Sequence, residues 1–312
     1  MPPLNDEDNI VKINVFYYIA AGTFALIVAG MAGNISAADG KSETPRLKDC
    51  LWTWGNPEMT TAGEHTAVAF AQASPAERSK LLGTRNVMLA GNGLPNDDAE
   101  AELITKQVAH CPRIIWEITA DGAGGPPFVY KERIAQILRL AQKYPQIEGV
   151  VLDDMSSIGM DKGFRAENIA QIRELLGEAN KRIKIWGVVY TMNLERPGMN
   201  ECIEQLDVIL LCEWFGDKVG ELEKHVAHCE KLFPGKPIVL GTYLYDYGQN
   251  KRMTPDLLQR QYSLALELFR TGRIAGIEFT TIDNDADAVA WTADWIKRVG
   301  DLQSIKNPAC ED

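Results

Sequence analysis

The sequence predicts an α/β protein, a single (β/α)₈ barrel of the TIM type, on three observations. Eight short apolar runs, rich in β-branched and aromatic residues, recur along the chain and alternate with longer amphipathic stretches. The runs are nearly continuous in apolar character, as is typical of strands buried on both faces. Alternating strands and helices require parallel pairing with crossover connections, and eight such units fit a closed barrel.

The predicted strands in chain order are Leu51–Trp54, Asn86–Ala90, Arg113–Ile118, Gly149–Asp153, Ile183–Tyr190, Asp207–Glu213, Pro237–Tyr243 and Ala275–Thr281. Between them, helical periodicity predicts helices at Lys131–Tyr144, Arg165–Asn180, Met199–Leu206, Val219–Phe233 and Thr254–Thr271. The segment between the first two strands predicts two helices, Thr61–Gln72 and Pro75–Leu82, or one broken helix. Thr254 before Pro255 has the pattern of a helix N-cap, and Gly272 that of a helix C-terminus.

Residues 1–38 are predicted to be a signal peptide that precedes the barrel. The segment Val15–Gly33 carries no charge, and Ser36 and Ala38 supply the small residues expected before a cleavage site. The apolar run is also long enough to span a bilayer, so an uncleaved membrane anchor is the alternative. Both interpretations place the rest of the protein outside the cytoplasm, in the periplasm or secreted.

The remaining chain divides into a polar linker at 39–47 and the barrel at 48–312, which includes a short C-terminal tail. The formal net charge of −11 makes an acidic surface. Such a surface is a poor partner for phosphate backbones and for anionic lipids. We therefore expect no nucleic-acid partner, and no membrane contact beyond a possible N-terminal anchor.

If the chain lies outside the cytoplasm, as predicted, its six cysteines are in a compartment where disulfides persist. Cys50 precedes the first strand and Cys310 follows the last helix, so a closed barrel brings them to the same end. Cys50–Cys310 is the preferred bridge, and Cys202 and Cys229 on consecutive helices form a second possible pair. Free buried thiols are the alternative.

Candidate site residues cluster at the strand ends, because barrel enzymes build their sites at the carboxyl ends of the strands. Carboxylates end or line the third, fourth, sixth and eighth strands, and tryptophans lie on several strands. Aromatic faces stack on sugar rings and carboxylates cleave the bond between rings, so together they indicate an oligo- or polysaccharide substrate. The candidates for substrate binding are Trp52, Trp54, Asn92, Trp116, Glu117, Asp154, Tyr190, Asn193, Trp214, Tyr243, Tyr245, Asp246, Glu278 and Asp283.

Asp153 and Glu213 are the predicted catalytic pair, since each directly follows an apolar run on a strand that ends there. Glycoside hydrolysis needs two carboxyl groups that flank the scissile bond. We assign Asp153 as the nucleophile and Glu213 as the acid/base, with the Glu213 pKa raised by the apolar residues around it. The sequence thus favours an enzyme, an O-glycosyl hydrolase, that needs no cofactor and no metal.

The segment Ile147–Asp154 resembles a strand shared by many (β/α)₈ glycosidases, with an acidic residue, glycine, an apolar run and then aspartate. Together with Glu213 and the Trp-x-Trp of the first strand, it resembles the endo-α-1,4-polygalactosaminidase family. That resemblance implies a nucleophilic aspartate on the fourth strand, Asp153, and an acid glutamate on the sixth, Glu213. Chitinase-type strands carry a glutamate where this chain has Met155, which disfavours chitinase chemistry.

Two other functions remain open at this point. One is a barrel that binds carbohydrate without cleaving it. The other is a metal-dependent barrel hydrolase, with Asp153, Asp154 and Glu213 as ligands of Mg²⁺ or Ca²⁺. His225 and His228, followed by Cys229, have ligand-like spacing but lie on a predicted helix away from the strand ends.

Overall fold

Eight parallel strands close into a barrel in the computed structural model, and helices follow them along the chain. The structure describes residues 44–55, 74–91, 94–119, 130–177, 182–280 and 286–305. These residues belong to one unit, Glu43–Asp312. The predicted segment 1–38 and the predicted helix Thr61–Gln72 lie outside the described residues.

The barrel strands are β1 (Leu51–Gly55), β2 (Asn86–Leu89), β3 (Ile114–Glu117), β4 (Ile147–Leu152), β5 (Lys184–Tyr190), β6 (Val208–Cys212), β7 (Ile238–Tyr243) and β10 (Gly276–Thr280). Each pairs in parallel with its neighbours, and β10 closes the barrel against β1 and β7. After β7, the short strands β8 (Tyr245–Asp246) and β9 (Lys251–Arg252) form an antiparallel pair. The predicted barrel is therefore confirmed, with each strand within two residues of its predicted bounds.

The helices are α1 (Pro75–Leu82), α2 (Asp98–Gln107), α3 (Tyr130–Lys143), α4 (Ala166–Leu176), α5 (Met199–Gln205), α6 (Leu222–Leu232), α7 (Pro255–Arg270) and α8 (Ala286–Val299). Thr254 caps α7, its side chain accepting a hydrogen bond from the Leu257 amide, as the sequence predicts. Gly272, just past the end of α7, has a φ of 69°, which favours glycine. A single π-type turn, Met155–Gly159, follows β4.

Alternate residues of each strand face the barrel interior and the helix layer. On β6, Val208, Leu210 and Cys212 belong to the interior cluster, while Ile209 and Leu211 pack in the cluster beneath the helices. Successive side chains point to opposite faces of a strand. Continued past β6, this alternation turns Glu213 toward the helices and Trp214 toward the barrel axis.

The second predicted disulfide, Cys202–Cys229, is wrong: both thiols are free and buried. Each lies on the barrel-facing side of its helix, Cys202 on α5 and Cys229 on α6, within the apolar layer around the strands. Burial raises the pKa of the Cys202 thiol to about 11 and that of Cys229 to about 12. Cys310 lies outside the described residues, as does the bridge predicted for it.

No helix among the described residues has the length and hydropathy needed to cross a bilayer.

Candidate active site

A cavity of about 190 Å³ opens at the carboxyl end of the barrel, where the sequence predicts the site. We call it the mouth cavity. Five of its lining residues are aromatic and two are carboxylates. The residues that line it are Trp54, Arg78, Gly91, Asp153, Asp154, Val188, Tyr190, Leu210, Cys212, Trp214, Tyr243, Tyr247 and Thr280. The mouth cavity thus brings together six of the predicted site residues: Trp54, Asp153, Asp154, Tyr190, Trp214 and Tyr243.

Asp153 directly follows β4 and lines the mouth cavity. Its backbone N–H donates to Thr119 Oγ1 at 3.2 Å, and its Oδ1 accepts the Asp154 N–H at 2.8 Å. Burial, followed by the negative charges of Glu117 and Asp154, raises the pKa of Asp153 well above its usual value. A raised pKa favours the protonated form of Asp153, which is the form that can donate a proton.

Asp154 is the second carboxylate of the mouth cavity, and its backbone is in the left-handed region with a φ of 49°. Residues other than glycine rarely adopt this conformation, and such strained positions concentrate at functional sites. The Tyr190 hydroxyl donates to Asp154 Oδ1 at 2.5 Å. Burial and then the charge of Asp154 raise the pKa of Tyr190 well above its usual value, so the phenol stays protonated and keeps this hydrogen bond.

Two further carboxyl groups, Glu117 and Glu278, are fully buried in the barrel interior below the mouth cavity. Glu117 accepts hydrogen bonds from the Gly91 N–H at 2.6 Å and from Thr119 Oγ1 at 2.7 Å. Glu278 Oε2 accepts from Thr280 Oγ1 at 2.7 Å, and its Oε1 is buried with no hydrogen-bond partner among the described residues. Burial raises the pKa of Glu278 to about 8, against the hydrogen bond from Thr280.

The aromatic wall of the mouth cavity centres on Trp214. Its ring stacks on Tyr247, with centroids 4.9 Å apart, and meets Tyr190 edge-on at 5.3 Å. Tyr243 completes the group, edge-on to Trp214 at 6.2 Å. Stacked and edge-to-face rings hold one another in place, so the wall offers a preformed flat surface.

Glu213 does not line the mouth cavity, and the prediction of a raised pKa for it is wrong. It is buried on the helix side of the barrel, with Oε2 3.1 Å from His225 Nδ1 on α6. Thr191 Oγ1 donates to Oε2 at 2.6 Å, and the Phe215 N–H donates to Oε1 at 3.0 Å. Burial favours the neutral carboxyl, but the bonds from His225, Thr191 and Phe215 outweigh it and lower the pKa of Glu213.

We expect Glu213→Gln to destabilise the protein by about 1–3 kcal/mol at pH 7. The hydrogen bonds that a buried carboxylate accepts are stronger than those that a neutral amide accepts, and the substitution replaces one with the other. The Glu213 pKa is lower in the folded state, so this stabilisation is present above the unfolded pKa of 4.5 and is lost as pH falls through the folded value. Urea unfolding at pH 7 and pH 3.5 measures both effects. Glu195→Gln is the matched control, since exposed Glu195 makes the same kind of contact with His228. Equal effects of the two substitutions at pH 7 would contradict this prediction.

Several predicted substrate-binding residues lie elsewhere. Trp116 faces the helix layer, where its Nε1 donates to Thr105 Oγ1 on α2 at 3.1 Å. Trp52 lies in the interior near the amino ends of the strands, against Trp186 at 5.1 Å. Neither indole lines the mouth cavity, so neither is placed to contact a substrate there.

The predicted residues Tyr245, Asp246 and Asn193 do not line the mouth cavity. Tyr245 donates its hydroxyl to Asn250, and buried Asp246 accepts the Gln249 N–H, so both serve the β8–β9 pair. Asn193 lies in a 3₁₀ turn after β5. Asn92 and Asp283 lie outside the described residues.

Seven of the thirteen lining residues were not predicted, among them Tyr247, Arg78 and Cys212. Tyr247 follows Tyr243 and Tyr245 at the same two-residue spacing, and this spacing is visible in the sequence. Arg78 reaches the cavity from α1, and Cys212 from the interior face of β6. Arg78 could not be found from the sequence, because its position depends on how α1 packs against the barrel.

Among the described residues, no group of three or more His, Cys, Asp or Glu side chains is arranged to hold a metal ion. The metal alternative required Asp153, Asp154 and Glu213 to converge. Glu213 turns to the opposite side of its strand, toward His225.

No protein-family model matches the chain, and no curated protein sequence matches it. The GH99 endo-α-mannosidase from Bacteroides thetaiotaomicron superposes with a TM-score of 0.52 at 12% identity, covering 80% of this chain and 97% of that one. The catalytic domain of the hyperthermophilic chitinase from Pyrococcus furiosus gives 0.52 at 11% identity, with coverages of 83% and 98%. A β-glucuronidase from Bacteroides uniformis gives 0.48 at 14% identity over 65% of this chain, which spans 27% of its length. At these identities the likeness establishes the barrel fold.

Proposed function

We propose that the protein is a glycoside hydrolase that cleaves an extracytoplasmic oligo- or polysaccharide in the mouth cavity. The observation that carries this proposal is the carboxyl group of Asp153, whose pKa burial raises, set beside a second carboxyl and an aromatic wall at the carboxyl end of the barrel. Barrel enzymes place their sites at this end. The two hydrolases that match this chain over nearly their whole length support the proposal through their shared fold, although one fold hosts many activities.

In the proposed mechanism, Asp153 donates its proton to the oxygen of the scissile glycosidic bond. Its raised pKa suits a proton donor better than a nucleophile, which is the role that we predicted from the sequence. Asp154, oriented by the Tyr190 hydroxyl, stabilises the positive charge that develops at the anomeric carbon. A water molecule then adds to that carbon and gives its proton to the Asp153 carboxylate, which restores the proton donor. Glu213 acts as a positioning residue, since it ties the residues after β5 and β6 to α6.

The proposed substrate is a neutral or cationic glycan. The whole chain has a formal net charge of −11, and Arg78 is the one cation among the described residues that line the mouth cavity. Such an arrangement opposes an anionic sugar. The narrower resemblance to the endo-α-1,4-polygalactosaminidase family rests on a strand-six acid, and the contacts of Glu213 with His225 weigh against that part of it.

A panel of neutral, cationic and anionic polysaccharides tests the proposal, with release of reducing ends and quenching of tryptophan fluorescence measured together. We expect release from at least one neutral or cationic polymer. Quenching without release by any of them would favour the carbohydrate-binding barrel instead. Neither quenching nor release would leave the mouth cavity without a glycan ligand and end the proposal.

For the substrate that the panel identifies, Trp214→Ala should raise KM about 10-fold or more with a smaller change in kcat, because the stacking surface is lost but Asp153 stays in place. The matched control is Trp291→Ala, which removes a partly buried indole stacked on Tyr262, with centroids 5.5 Å apart, in the helix layer. Steady-state kinetics of both variants measure the effect. Equal changes of KM in the two variants would contradict a role for Trp214 in substrate binding.

A further inference from the structure

A second cavity, of about 170 Å³, lies at the amino end of the barrel. Its lining residues lie at or next to the first residues of the strands, such as Lys184 on β5 and Val208 on β6. We call it the lower cavity. Val208, Val239 and Ala275 give it an apolar wall, and the indoles of Trp52 and Trp186 lie against its inner side.

Three cations and two carboxylates line the lower cavity, so it carries a net positive charge. Both carboxylates are already paired. Glu148 accepts from Arg113 Nε at 2.7 Å, and the Arg113 guanidinium lies 4.6 Å from the ring centre of Trp52. Asp207 accepts the Ile185 N–H at 2.7 Å and lies 3.1 Å from Arg173. The carboxylates therefore have little left to offer a cationic ligand.

Two hydrogen-bond donors of the lower cavity are unused. Trp186 is 2% exposed, yet its Nε1 has no hydrogen-bond partner among the residues that the structure describes. A Cβ atom at Gly149 would lie 3.0 Å from that nitrogen, so glycine leaves space beside the buried N–H. Exposed Lys184 has no ion pair within the described ranges, whereas Arg182 donates to the carbonyl oxygens of Ala141, Pro145 and Ile147.

We propose that the lower cavity binds a small aromatic carboxylate, whose ring packs on the apolar wall and whose carboxylate accepts from Trp186 Nε1 and Lys184 Nζ. A buried donor without a partner costs free energy, and an acceptor supplied by a ligand removes that cost. The amino end of the strands is remote from the usual position of barrel active sites. This binding site is independent of the proposed hydrolase activity.

Calorimetric titration with benzoate at low ionic strength tests the proposal. We expect saturable 1:1 binding with a dissociation constant on the order of 1 mM, as befits a ligand of this size. Trp186→Phe keeps an aromatic ring but removes the N–H, and should weaken binding about 5- to 10-fold. Lys184→Gln, at an exposed position, should weaken it by a similar factor.

Trp295→Phe is the matched control, because Trp295 is a buried indole of α8 that lines neither cavity. This variant and Trp214→Ala in the mouth cavity should bind benzoate as the unaltered protein does. Absence of saturable binding, unchanged affinity in Lys184→Gln, or equal affinity for the neutral analogue benzyl alcohol would each overturn the proposal. If Trp186→Phe fails to fold, Lys184→Gln and benzyl alcohol still decide the outcome.

Discussion

Asp153→Asn should lower kcat about 10²- to 10⁴-fold on the polysaccharide that the panel identifies, with little change in KM. Asparagine has the size of aspartate and accepts the same N–H of Asp154, but it cannot donate the proton that the leaving oxygen needs. The change is measured as initial rates of reducing-end release. Asp217→Asn is the control, since exposed Asp217 follows β6 at the same end of the barrel and does not line the mouth cavity.

Substrates with different leaving groups distinguish a proton-donor role of Asp153 from a nucleophile role. An aryl glycoside whose phenolate departs without protonation should lose much less rate in Asp153→Asn than the polysaccharide does. A nucleophile would be needed equally for both substrates, so equal losses would contradict the proton-donor role. The pH profile gives a second test, because the unaltered enzyme should lose activity as pH rises through the raised pKa of Asp153.

The fold was predictable because its main signal is local. Each barrel strand is a short apolar run, and eight runs separated by amphipathic stretches leave few architectures other than a closed parallel barrel. Helix α2 was missed because six of its ten residues are charged or polar and few of its side chains are buried. The β8–β9 pair was missed because two-residue strands have no periodicity to read.

The same apolar runs explain the error at Glu213. A strand that is buried on both faces has no visible alternation of polar and apolar residues, so its sequence does not reveal which residues face the interior. Asp153 and Glu213 each end such a run, yet Asp153 faces the mouth cavity and Glu213 faces His225. Trp52 and Trp116 were misplaced for the same reason. Only coordinates supply the orientation of these four side chains.

Glu278→Gln should stabilise the protein by about 2–4 kcal/mol at pH 9 and have little effect at pH 4. Burial raises the Glu278 pKa from 4.5 to about 8 in the folded state. Between these values the unfolded chain releases a proton that the folded protein retains, so the stability of the unaltered protein falls as pH rises. Glutamine cannot ionise, and it keeps an oxygen to accept from Thr280.

Urea unfolding of both proteins at pH 4, 7 and 9 measures the difference, with exposed Glu267→Gln on α7 as the control. We expect the free energy of unfolding of Glu278→Gln to exceed that of the unaltered protein by an amount that grows from pH 4 to pH 9, and we expect no such trend for Glu267→Gln. A constant difference across this range would contradict a neutral Glu278, and would require a partner for its ionised Oε1 that the described residues do not provide.

Because the charge of Glu278 also acts on Asp153, a neutral group at this position would moderate the repulsion that raises the Asp153 pKa. The stability of the barrel interior and the proton held in the mouth cavity are thus linked through the same buried carboxyl group.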